Sequence, residues 1–88
     1  MRELSVQSLT EFKDEIELLT SDTRLGLKEC EELLEQVKEM QLAVRECEKQ
    51  FRDSECSKME LLLVYAECLL EIRITGILEA LWNSKNVV

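Results

Sequence analysis

An all-α fold is predicted, a three-helix bundle or antiparallel helical hairpin with coiled-coil-like packing, on three observations. Proline is absent and glycine occurs twice in 88 residues, so little punctuates the chain in the way that strand hairpins require. Apolar residues recur at alternating steps of three and four, the spacing of heptad a and d positions. Two polar interruptions with helix-start signals divide these runs. A chain of 88 residues makes one domain at most, near the low end of what folds alone. The helical domain is expected over 1–83, with 84–88 a frayed tail.

The first helix is expected over about 8–20, where Leu9, Phe12, Ile16 and Leu19 share a face. "SLTE" at its start has the form of a capping box: the hydroxyl accepts one free backbone donor and the carboxylate accepts another. The stretch "TSDTRLG", residues 20 to 26, then puts Thr23 and Gly26 where core residues are due. Its Thr, Ser and Asp favour caps over helix interiors.

The second helix, about 23–53, carries the cleanest seam: Cys30, Leu33, Val37, Met40, Val44, Cys47 and Phe51. Glu29, Glu31, Glu32 and Glu35 lie early in it, and Lys38, Arg45, Lys49 and Arg52 lie later. That order complements the helix dipole. "DSECSK", residues 53 to 58, interrupts the seam with Ser54 and Lys58, and "SKME" repeats the capping-box spacing. A third helix is expected over about 57–83, with the seam Leu61, Tyr65, Cys68 and Ile72. The heptad phase runs through both interruptions without a slip, which keeps a continuous rod open beside the reading with turns.

The third segment, residues 59–82, is apolar at 17 of 24 positions. A coiled-coil seam needs about two positions in seven and a bundle face about three, so roughly seven residues are in surplus. Glu60, Glu67 and Glu71 fall within about 40° on a helical wheel and read as its wet face. Charges at Glu60, Glu67, Glu71, Arg73 and Glu79 interrupt the segment, and at roughly 2.5–3.5 kcal/mol for each buried acid or Arg no membrane insertion is expected. The surplus calls for cover from another chain, so the bundle is expected to be completed by oligomerisation. The expected partner-binding residues are Leu62, Leu63, Leu69, Leu70, Arg73, Ile74, Ile77, Leu78, Leu81 and Trp82. Arg73 has no carboxylate three or four residues away; it either snorkels to water or meets an acid across an interface. Gly76 either admits a second backbone or kinks the helix. Trp82 reads equally as an interface anchor or a core cap.

Nineteen acids against eleven bases leave a net charge of −8. The bases are interleaved with Glu, so a phosphate backbone is repelled and no nucleic acid is expected as a partner. The four cysteines lie 17, 9 and 12 residues apart, without Cys-x-x-Cys and without any His. Zinc sites draw paired ligands from tight loops, so neither a metal nor another cofactor is expected. The thiols read as small core hydrophobes, with Cys56 the one expected at the surface. Without His or a glycine-rich phosphate loop, no catalytic constellation forms. No cleavable leader is evident at the start of the chain, and a cytoplasmic or nuclear location is expected. Together these features point to a non-catalytic helical interaction subunit of a larger scaffold complex, cytoskeletal, chromosome-associated or vesicle-tethering. Its partner is a helical protein, in a homo- or hetero-oligomer. The alternative is a small regulatory inhibitor or chaperone that sequesters a partner's amphipathic helix.

Overall fold

A computed structural model describes residues 4–47 and 53–86. They form α1 (Val6–Ser21), α2 (Leu27–Glu46) and α3 (Asp53–Asn86), with no strand among the described residues. The fold is all-α, with α1 and α2 each packed along α3. Side-chain contacts give the directions. Lys13 lies over the Tyr65 ring and Arg73 reaches Asp22, so α1 runs parallel to α3. Arg73 also meets Leu25, while Gln41 meets Glu67, so α2 runs antiparallel to α3. At 1.5 Å per residue α3 is about 51 Å long, and it sets the long axis of a 56 × 21 × 20 Å rod.

The core takes Leu9, Phe12 and Ile16 from α1, Cys30, Val37 and Val44 from α2, and Cys56, Met59, Leu63, Ala66 and Leu70 from α3. Leu33 and Met40 pack half-buried against it. The seam expected for the second helix therefore faces inward from Cys30 to Val44; Phe51 lies outside the described residues. In the first run Leu9, Phe12 and Ile16 are buried, but Leu19 is exposed.

The first break forms where polar residues replace the core. Ser5, not the expected Ser8, caps α1. Its hydroxyl accepts from the Ser8 N–H at 3.0 Å, and its own N–H donates to Ser8 Oγ at 3.1 Å. The helix starts earlier than the sequence predicts because this reciprocal pair lies three residues upstream of "SLTE". After Ser21, the Asp22 carboxylate accepts the Arg24 N–H at 2.9 Å, a turn favoured by short acidic side chains. α2 starts at Leu27 rather than 23. The Glu29 carboxylate takes the Gly26 N–H at 2.7 Å, placing an acid at the positive end of the helix. The continuous rod is thereby replaced by a reversal at 22–26.

The expected turn at 53–58 is corrected. α3 is already helical from Asp53, and "SKME" lies inside it. Ser54, Ser57 and Lys58 are exposed while Cys56 and Met59 are buried, so this polar stretch is the outer face of a helix. α2 ends at Glu46 and α3 begins at Asp53, and 48–52 lie outside the described residues. The expected tail is also shorter: Ser84, Lys85 and Asn86 continue α3, and 87–88 lie outside the described residues.

Candidate functional site

α3 is apolar on two opposite sides. Its inward line is Cys56, Met59, Leu63, Ala66 and Leu70. The line read from the sequence, Leu61, Tyr65, Cys68 and Ile72, faces outward, with Leu61 at 70% and Ile72 at 72% exposure. The two lines differ by two positions, a rotation of about 200°. Both have heptad spacing and both are apolar, so periodicity cannot rank them; packing against Phe12, Ile16 and Val37 does. Glu60, Glu67 and Glu71 are thus not the only wet stripe, since they border an exposed apolar one.

The ten expected partner residues fall into three groups. Leu63 and Leu70 are 1% and 0% exposed, within the protomer's own core. Leu62, Leu69, Ile74 and Ile77 are half-buried against that core, and Arg73 is half-buried beside the first turn. Leu78, Leu81 and Trp82 are exposed, Trp82 at 68%. Four large side chains absent from the expected set share the outward face: Leu61, Val64, Tyr65 and Ile72. The signal for three of them was the heptad seam itself, read as the inward one.

Geometry explains the bare end. The turn at 22–26 sits beside Arg73, and every described side chain from Leu78 to Lys85 is exposed. Those eight residues, about 12 Å of helix, project past α1 and α2. Gly76 lies just before this overhang, and a Cβ built on it meets nothing within 4 Å. Neither α1 nor α2 therefore makes a close approach there. Beside it runs a shallow groove of about 480 Å³, bounded by Thr20 and Thr23 on one side and Leu69, Ile72 and Ile77 on the other.

Arg73 takes neither course expected of it. Its Nη2 donates to the Asp22 carbonyl at 2.7 Å and the Leu25 carbonyl at 3.2 Å, and its Nε reaches the latter at 3.4 Å. The guanidinium thus closes the Asp22 carbonyl at the negative end of α1 and the Leu25 carbonyl in the turn before α2. No spacing rule finds such a contact, because the acceptors are backbone atoms about 50 residues upstream. The Asp22 carboxyl is held below its ordinary range by its hydrogen bonds to the Arg24 side chain and N–H, with a further pull from Arg73. On the other side, Gln41 Nε2 donates to Glu67 Oε2 at 3.0 Å and ties α2 to α3. Lys13, paired with Asp14 at 2.8 Å and Glu17 at 3.3 Å, lies 5.6 Å from the Tyr65 centroid.

The cysteine assignment is also corrected. Cys56 is 7% exposed, and Cys68, on the outward line, is the exposed thiol. No disulfide joins any of the four cysteines. No helix among the described residues is long and apolar enough to cross a membrane.

No known protein family, curated protein or solved structure matches the chain. The chain is a helical bundle whose exposed apolar residues suggest a protein partner.

Proposed function

We propose that the chain is a non-catalytic helical interaction subunit, docking through α3 into a larger scaffold assembly of cytoskeletal, chromosome-associated or vesicle-tethering type. One observation carries this reading: seven large apolar side chains of α3 are exposed, from Leu61 to Trp82. Each forgoes on the order of 1.5–3 kcal/mol of burial in water, and so much exposed apolar surface on one helix supports a binding role. Four cysteines outside any disulfide fit a cytoplasmic or nuclear setting. The test is the native size of the tagged chain in extracts of its own cells. The wild type should run well above monomer size. A variant with Leu61, Ile72, Leu78 and Trp82 all changed to Gln should run as a monomer with its helicity kept. A wild-type monomer in those extracts would overturn the reading.

The groove beside Ile72 and Gly76 favours a second reading, a regulator that holds a partner's amphipathic helix and releases it. The two differ in lifetime: a scaffold copurifies at fixed stoichiometry, whereas a regulator exchanges.

A further inference from the structure

We propose that two copies of the chain pair through the distal half of α3, antiparallel, with each Trp82 seated in the other copy's groove beside Gly76. This rests on the reading of α3 as an interaction element and names its occupant.

Charge spacing supplies the orientation. Glu71 lies one heptad before Leu78 and Lys85 one heptad after it. Both are exposed, and neither is in an ion pair among the described residues. At 100° per residue the three fall within about 40° of one another, on one flank of the outward line. An antiparallel pair centred on Leu78 sets each Glu71 opposite Lys85 of the other copy, twice by symmetry. A parallel pair puts the two flanks on opposite sides of the seam and sets Glu71 beside Gly76 of the other copy, so neither charge finds its opposite. The antiparallel arrangement is isologous, so it closes at two copies.

The apolar residues centre one residue earlier, at Ile77, which leaves a stagger of about 3 Å between facing Glu71 and Lys85 that their long side chains span. The outward line continues from Ile72 through Thr75 and Glu79 to Trp82 in steps of three and four. Antiparallel layering places Ile72 against Trp82 of the other copy and the Thr75 hydroxyl against its Glu79 carboxylate. Trp82 thereby meets the groove at Leu69, Ile72 and Gly76, whose volume of about 480 Å³ accommodates an indole. On the opposite flank the two Gly76 residues face each other, where missing side chains let backbones approach. The overhang, bare in the protomer, then lies along its partner's bundle. The shared stretch, about 68–86, is roughly 28 Å long, an interface at the small end of the specific range.

Sedimentation equilibrium on the purified full chain, under reducing conditions from low to high micromolar, tests this. The wild type should dimerise, and Glu71→Lys or Lys85→Glu should each weaken the dimer about tenfold by opposing like charges at both ends. Mixing the two single variants, or combining both changes in one chain, should restore wild-type affinity. Gly76→Leu, whose Cβ meets nothing within 4 Å in the protomer, should keep the thermal melt and abolish the dimer. A chain monomeric throughout, or a dimer indifferent to these changes, overturns the proposal. A purified monomer that still runs in a larger assembly in cell extract removes the second copy alone; a monomer in both settings removes the interaction reading as well.

Discussion

Arg73 on α3 holds the carbonyl of Asp22 at 2.7 Å, across 51 residues of chain. This one side chain joins the end of α1, the turn and α3, and it does so without a carboxylate partner. Arg73→Met removes three donor contacts, leaving the Leu25 carbonyl to water and the Asp22 carbonyl with the Leu25 N–H. Charge-assisted hydrogen bonds contribute about 1.5–3 kcal/mol, so urea unfolding should show a loss of about that size. Hydrogen exchange should quicken first at Leu25, whose N–H bonds the Asp22 carbonyl at 3.2 Å.

The same turn responds to acid. The folded-state pKa of Asp22 is lowered, first by the Arg24 side chain, then by the Arg24 N–H, and further by Arg73. A lowered carboxylate stabilises above its unfolded value, near 3.8, and that contribution is lost as pH falls through the folded value. Carboxylate NMR should place the Asp22 midpoint below 3.8, and Arg24→Ala should move it back up toward that value. An Asp22 midpoint at or above the reference would contradict the hydrogen bonding.

Thiol reactivity should separate the cysteines by position. Burial raises the Cys30 thiol, and only part of that is offset by Arg73. Its protonated form is thus favoured in the fold, and the associated stability is present below pH 9.0 and lost as pH rises past it. Iodoacetamide with peptide mass mapping should modify Cys68 early and Cys30 last. Rapid labelling of Cys56 ahead of Cys68 would reverse the assignment of α3's faces.

Two substitutions on α3 test those faces directly. Leu70→Ala opens a cavity in the fully buried line and should cost about 2–5 kcal/mol. Ile72→Gln, on the exposed line, should stay within about 0.5 kcal/mol in dilute monomer. Chemical denaturation below the association range measures both, and equal losses would refute the inward and outward assignment.

The all-α class and the α2 seam were legible because both follow from one periodic signal: Cys30, Val37 and Val44 are apolar while their neighbours are charged. α3 was legible as a helix but not in its orientation. Met59, Leu63, Ala66 and Leu70 compete there with Leu61, Tyr65, Cys68 and Ile72, and only tertiary packing separates them. The misplaced turn has the same origin. Ser54, Ser57 and Lys58 interrupt the outward line, and reading that line as the core turned a solvent face into an apparent break. The exposed end at Leu78, Leu81 and Trp82 falls within the apolar surplus counted over 59–82. The clamp at Arg73 was not legible, since backbone acceptors leave no mark in side-chain spacing.

Because α1 and α2 each lie on α3, chain separation ranks their docking. Gln41 and Glu67 are 26 residues apart, whereas Arg73 and Asp22 are 51 apart. Each doubling of an intervening loop costs about 0.6 kcal/mol of closure entropy, so the α2–α3 pair should assemble first and α1 join it afterwards. Peeling α1 away uncovers Phe12, Ile16 and the side of α3 they shield while the hairpin stays folded, which makes the N-terminal helix the natural point of exchange with a helix from elsewhere.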